Sequence, residues 1–265
     1  MNQIGFIGAG NMATAIIGGI FKSNLCASIS AFDLDENKLD NLKQYGVISK
    51  SSANELIKNL DYLLLAVKPQ HITDVLSGIK ADINHNIVII SIAAGITGDY
   101  ITKVLGFHAK VVQVMPNTPL MLSCGATALS KSDYVSNEEF EYVKSIFDCA
   151  GMTRVISKDK MNEIIPINGS SPAFIYKFAE CFTNYGKSVG IDEEVCLSLF
   201  AQALIGSAKM LTDSGLSIEE LITMVSSKGG TTIVGLEALH AMKLEDAVQT
   251  ACESCVKRAY ELTLE

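Results

Sequence analysis

Short apolar runs that break at glycine or proline alternate with helical periodicity through the first half of the chain. Ile4–Ile7 runs into Gly8-Ala9-Gly10, and from Met12 to Ile20 apolar residues recur at the spacing of one helix face. Ile29–Phe32 reads as a second strand and Glu36–Tyr45 as a second helix. Tyr62–Val67, Ile87–Ile92 and Lys110–Met115 are nearly continuous apolar runs, stopped by Pro69, Gly95 and Pro116. Strands that show no alternation are buried on both faces, so the pattern predicts an α/β fold with a doubly wound parallel sheet. Ala126–Ser130 and Thr153–Ile156 complete the sheet, with a helix over Glu138–Cys149 between them.

After about Ser157 the pattern becomes all helical, which divides the chain into residues 1–157 and 158–265. Helices are predicted over Pro172–Val189, Glu194–Leu211, Ile218–Val225, Thr231–Ala241 and Leu244–Leu262. The first two are apolar almost all round: Phe174, Ile175, Phe178, Phe182 and Tyr185 in one, Leu197, Leu199, Phe200, Leu204 and Ile205 in the other. A helix apolar on every side must be surrounded. About a hundred residues cannot surround two such helices, so a second copy of the chain is expected to share them across an obligate interface.

Composition sharpens this. Hydrophobic residues make up 48% of the chain, charged residues 19%, and the mean hydropathy is +0.28, which is apolar for a soluble monomer. The longest apolar stretches, Tyr62–Val67 and Ile87–Ile96, fall far short of the roughly 20 residues of a spanning helix. The N-terminal residues carry no basic flank of a secretory leader. The expectation is a cytoplasmic homo-oligomer with no membrane segment. A net charge of −8 without a dense Lys/Arg run argues against nucleic acid as a partner. The seven cysteines are scattered and mostly in apolar context, as buried reduced thiols would be. Cys252 and Cys255 form a CxxC with no second pair and no nearby histidine, so no metal is expected.

The strongest local chemical signal is Gly8-Ala9-Gly10-Asn11-Met12-Ala13, a GxGxxA after a strand and at the opening of a helix. Gly8 permits the tight turn, Gly10 lets the backbone approach a pyrophosphate, and Ala13 allows close helix–sheet packing in a Rossmann-type domain. The phosphates would rest on unpaired N–H groups at the helix start, with Ala9, Gly10, Asn11 and Met12 among the cofactor-binding residues. Asp33 ends the second strand 25 positions after Gly8, where an acidic residue hydrogen-bonds the adenine ribose of NADH. NADPH would bring a phosphate to that carboxylate, so NADH is the preferred cofactor and NADPH the second. The reading set against this has Asp33 capping the following helix.

Three further segments fall past the carboxyl ends of strands: Ala66-Val67-Lys68-Pro69-Gln70, Ser91-Ile92-Ala93-Ala94-Gly95 and Met115-Pro116-Asn117-Thr118-Pro119. Taken singly each is as much a structural turn as a ligand loop; together they outline one cofactor crevice. In the helical half, Val225-Ser226-Ser227-Lys228-Gly229-Gly230-Thr231-Thr232-Ile233-Val234-Gly235-Leu236 is a serine- and glycine-rich loop that runs into a helix and offers N–H groups and hydroxyls at a positive dipole end. Local physics leaves two readings of it, an anion site and an ordinary capped helix.

AVKPQ at 66–70, MPNTP at 115–119, GSSPAF at 169–174 and SSKGGTTIVGLEAL at 226–239, in this order, resemble the pyrroline-5-carboxylate reductases along the whole chain. The resemblance implies a Rossmann domain, a helical domain that dimerises by interlocking, and often a ring of five dimers. It implies reduction of a cyclic imine acid, 1-pyrroline-5-carboxylate, to L-proline. Gly229, Gly230 and Thr231 would hold the substrate carboxylate, and Thr232 would be the catalytic residue at the ring nitrogen. The chain departs from the family at Lys228, Ser171, Gln113 and Met224, which bears on specificity more than on reaction type. Two other classes compete with this reading. A β-hydroxyacid-dehydrogenase type would need a catalytic lysine on the long helix, where Lys177 lies without an asparagine four places on. A non-catalytic dinucleotide-binding protein would have no reason to keep Thr231 and Thr232.

Overall fold

The computed structural model describes residues 1–23 and 25–264. Eight strands form one sheet: β1 Asn2–Ile7, β2 Ala27–Phe32, β3 Ile48–Ser49, β4 Tyr62–Leu65, β5 Val88–Ser91, β6 Lys110–Met115, β7 Gly125–Lys131 and β8 Gly151–Val155. Their order is β3-β2-β1-β4-β5-β6-β7-β8, which reverses direction of progress between β1 and β4. The first half carries helices α1 Asn11–Lys22, α2 Glu36–Leu42, α3 Ala53–Leu56, α4 Ile72–Ile79, α5 Gly98–Leu105 and α6 Asn137–Asp148.

Every residue of β4 and β5 is buried, which is why these strands read as unbroken apolar runs. One face of the sheet packs Ile4, Phe6, Leu64, Ile90 and Val112 against Ile16, Ile17 and Phe147. The other packs Ile7, Leu63, Leu65 and Ile89 against Ile72, Leu76 and Ile101. The expected all-parallel sheet needs one correction. β6 and β7 pair antiparallel, so β7 and β8 run against the other six. The connection from Met115 to Gly125 is a 3-10 turn over Thr118–Leu122, too short for the helical crossover a parallel neighbour requires. The helix expected over Glu36–Tyr45 stops at Leu42 and tightens into a 3-10 turn that Gly46 ends at φ +73°.

Helices α7 Ser171–Ser188, α8 Glu193–Asp213, α9 Ile218–Val225, α10 Thr231–Ala241 and α11 Leu244–Leu264 follow. Packing divides the chain into residues 1–172 with 254–265, and residues 173–253. The compositional break at Ser157 falls earlier because Met161 and Ile165 still pack on Met115 and Ala128, and Ala259 of α11 joins them.

Within residues 173–253, Thr183 and Gly186 are the only buried residues described. Phe178 is 41% exposed and Leu199 68%. Phe182 stacks on Phe200 at 4.3 Å between ring centroids, yet both helices keep their other apolar faces open. Two sequence expectations change here. Helix α8 is long and apolar enough to cross a membrane by length and composition, which a search for unbroken apolar runs misses because serine, glutamine and lysine interrupt it. The cysteines are not buried in this chain either: Cys26, Cys124 and Cys181 are exposed and the rest half-buried.

Candidate active site

The fingerprint loop stands at the reversal of strand order, where open α/β sheets hold ligands. Gly8 sits at φ +99°, and a Cβ there would lie 2.7 Å from the carbonyl oxygen of Ala66, so only glycine lets the loops after β1 and β4 touch. Gly10 caps α1 without a side-chain hydrogen bond, and a Cβ on it would meet nothing within 4 Å. That open side, with the N–H groups of Asn11 and Met12 lacking partners four residues back, fits the approach of a pyrophosphate. Ala13 is fully buried against the sheet, the role expected of the last fingerprint position.

Asp33 does not cap the following helix. Its carboxylate accepts the N–H of Ala9 at 2.7 Å and that of Asp35 at 2.9 Å. The cap of α2 is Asp35, which accepts from Asn37. Lys38 folds back to within 3.4 Å of Asp33. Burial pushes the Asp33 carboxyl up, but the two N–H donations and Lys38 outweigh it and leave the group below its ordinary value.

The other crevice residues have distinct settings. Lys68 is exposed, and Pro69 opens a 3-10 turn after it. Ala66 and Val67 are half-buried and Ala93 is buried. Gly95, expected to line the cofactor crevice, sits at φ +79° with Ala259 O 2.5 Å from where its Cβ would be, so its small size lets α11 approach. Asn117 is buried, and its Oδ1 accepts the N–H of Ala126 at 2.9 Å.

In residues 173–253, Gly230 caps α10 with no side-chain cap, so no serine or threonine hydroxyl occupies the helix start. The first helical N–H groups, at Thr231 and Thr232, have no partner four residues back. Gly229 turns the loop at φ +74°. The N–H of Gly230, however, donates to Ser227 O at 2.9 Å and is engaged within the loop. A Cβ on Gly230 would lie 2.6 Å from Ser227 Oγ, which accounts for the second glycine. Ser226 Oγ is buried without a protein partner.

Among the departures, Lys228 is exposed, Met224 is 57% exposed, Ser171 opens α7, and Gln113 donates to Ile96 O at 3.3 Å. Lys177 is exposed and ion-paired with Glu180 on its own helix, unlike a lysine held in a catalytic centre. Asn168 was not foreseen. It is a polar residue in the apolar run Ile164-Ile165-Pro166-Ile167, buried, with its amide on two strand ends.

A family model described as pyrroline-5-carboxylate reductase dimerisation matches residues 158–262, and one described as NADP oxidoreductase coenzyme F420-dependent matches residues 3–95. The pyrroline-5-carboxylate reductase of Escherichia coli is 34% identical over 264 residues, covering 98% of each chain. A crystal structure of 1-pyrroline-5-carboxylate reductase from Streptococcus pyogenes superposes at a TM-score of 0.90, with 30% identity and 98% of each chain covered. The Plasmodium falciparum pyrroline carboxylate reductase, solved with NADP bound, has a TM-score of 0.90 at 28% identity, with 99% of this chain and 98% of that chain covered.

Proposed function

Because this chain belongs to the pyrroline-5-carboxylate reductase family, we propose that it reduces 1-pyrroline-5-carboxylate to L-proline, the closing step of proline biosynthesis. The observation that carries this reading is the start of α10. Glycine caps the helix, no side chain fills the cap, and two threonines stand in the first turn. Their N–H groups and that of Gly229 suit a carboxylate at the positive end of the helix, with Gly229 also turning the loop and Gly230 leaving room for Ser227. Thr232 would hydrogen-bond the ring nitrogen of the imine and fix its orientation. The reaction then needs no histidine dyad, because the imine is activated by the proton on its own ring nitrogen and the protein's task is to orient it.

The dinucleotide would lie on the α1 N-terminus, with Gly8, Ala9, Gly10, Asn11, Met12 and Asp33 around its phosphates and adenine ribose. Ala66, Val67, Lys68, Pro69, Ala93, Gly95 and Asn117 form the rest of the crevice. Bound there, the reduced nicotinamide supplies the hydride. The Plasmodium relative was solved with NADP; for this chain we read NADH as preferred. The support is Asp33, an ionised carboxylate held against the fingerprint loop where a ribose phosphate would be repelled.

Residues 158–265 would serve substrate binding and dimerisation, and 1–157 dinucleotide binding. The open apolar faces of α7 and α8 are read as covered by a second copy, as the dimerisation-domain match supports. On this reading α8 lies in a subunit interface of a cytoplasmic dimer, with five such dimers in a ring as the larger assembly, and does not enter a membrane. Mixing the protein with NADH and 1-pyrroline-5-carboxylate and following nicotinamide absorbance tests the reaction. Oxidation matched by proline formation is expected; absorbance that stays constant with folded protein defeats the reading.

A further inference from the structure

Residues Ile165–Gly169 form a single π-helical turn just before α7, closed by the N–H of Ser170 donating to Ile165 O at 2.8 Å. Such wide turns are rare and concentrate where a side chain must be re-aimed. Here the turn brings Asn168 to the ends of two strands. Its Nδ2 donates to Met115 O at 2.7 Å and to Ala126 O at 3.1 Å. Met115 is the last residue of β6, and Ala126 stands near the start of β7. Ladder pairing between these strands begins only at Met115 and Ala128, so both carbonyls lie where the strands part. From the loop, Asn117 Oδ1 accepts the N–H of Ala126. One residue, Ala126, is therefore pinned by two asparagine side chains, one on its N–H and one on its carbonyl.

The Oδ1 of Asn168 is buried without a protein partner. A buried amide that satisfies one half and leaves the other unpaired is poor packing. An apolar residue would fill the site with less penalty, so the two donations are the reason for asparagine.

The carboxyl end of β6 lies in the half of a Rossmann sheet that faces the nicotinamide rather than the adenosine. We propose that Asn168 is a positioning residue for hydride transfer: it fixes the end of β6, and through Met115 and Asn117 the wall against which the nicotinamide rests. This deepens the reductase reading and rests on it. Misplacement of reacting atoms by about an ångström slows a reaction that needs close alignment, while leaving contacts elsewhere intact.

The test compares wild type with Asn168→Leu, which keeps the branched skeleton and heavy-atom count and removes the unpaired oxygen along with both donations, and with the smaller Asn168→Ser. The expected result is a fall in kcat of about tenfold and a larger primary isotope effect with NADH deuterated at the transferred position. KM for the cyclic imine should stay unchanged. Bound NADH should also show altered nicotinamide fluorescence at nearly unchanged affinity, a signal that does not depend on the imine. If wild type binds NADH but does not turn over the imine, the reductase reading fails and the fluorescence signal alone decides the role of Asn168. Folded variants with wild-type isotope effect and wild-type fluorescence overturn the proposal, whatever their melting temperature.

Discussion

The carboxylate of Asp33 accepts the backbone N–H of Ala9 at 2.7 Å, tying the end of β2 to the middle of the fingerprint loop. One group therefore holds the loop and, under the proposed function, carries the charge that a cofactor ribose would meet. Wild type is expected to show a higher kcat/KM with NADH than with NADPH. Asp33→Asn keeps an oxygen for Ala9 and removes the charge, so kcat/KM with NADPH should rise about tenfold while NADH changes little. Asp33→Ser with Leu34→Arg should go further and reverse the preference, with a higher KM for both cofactors because the loop loses its anchor. Initial rates at sub-saturating cofactor decide it, and a wild type that favours NADPH would show that Asp33 serves only as the anchor.

The same pair predicts a flat pH response. The folded carboxyl titrates below its ordinary value of 3.8, because the Ala9 and Asp35 N–H groups and Lys38 outweigh the cost of burial. A depressed carboxyl pKa gives an interaction that is complete above the ordinary value and is lost as pH falls through the folded one. Asp33 should therefore add no step to the ratio of NADH to NADPH efficiency from about pH 8 to about pH 5; the one step expected there is the titration of the 2′-phosphate of NADPH, at about pH 6. A step that does not follow that phosphate would assign the selectivity to another group of the protein.

Thr232→Val should fold normally, since no threonine hydroxyl caps α10. Removal of one hydrogen-bonding group aimed at a reacting atom costs, by analogy with single transition-state donors, on the order of 10²–10³ in turnover. The lower end is expected, because the backbone N–H groups at the helix start remain. Unchanged kcat/KM in folded Thr232→Val would remove Thr232 from the chemistry.

No buried apolar side chain is described between residues 173 and 253, so this part of the chain has no core of its own. Sedimentation at low micromolar concentration should give a dimer or a multiple of it, with no folded monomer. Phe178→Asp, in the middle of α7, should abolish soluble expression rather than release monomers. A monomeric, cooperatively folded wild type would refute the interface reading.

Gly95→Ala must place a Cβ at φ +79° and 2.5 Å from Ala259 O. Strained backbone of this kind costs about 1–3 kcal/mol, and the displaced helix adds to it. Thermal denaturation should show the loss directly. A Gly95→Ala protein as stable as wild type would mean that α11 moves away from the sheet at no penalty.

Legibility in the sequence followed burial. The central strands β4, β5 and β6 could be read because both their faces are covered, and the glycines at 8 and 10 because they stand at fixed spacing between a strand and a helix. The two-residue edge strand β3 has too little periodicity to show. The reversed direction of β7 is invisible to any pattern of apolar positions, since alternation carries no arrow. Asp33 could be found from its spacing, but its bond to Ala9 depends on how two loops meet. Asn168 left one faint sign, a polar residue at the end of an apolar run, and only the fold reveals which carbonyls it serves.

Helix α11 starts in one packing unit and ends in the other, where Ala259 covers Gly95 and joins the cluster of Met115, Ala128, Met161 and Ile165. For a chain emerging from the ribosome, this sets an order of events. The dinucleotide-binding half can form its sheet early, yet one patch of that half stays uncovered until residue 259 has been made. By then the intervening helices, which lack a core of their own, are already exposed and waiting for a second copy. Completion of the first unit and availability for pairing thus arrive together, late in synthesis, so a partly built chain carries neither a finished cofactor crevice nor a complete set of helices to exchange.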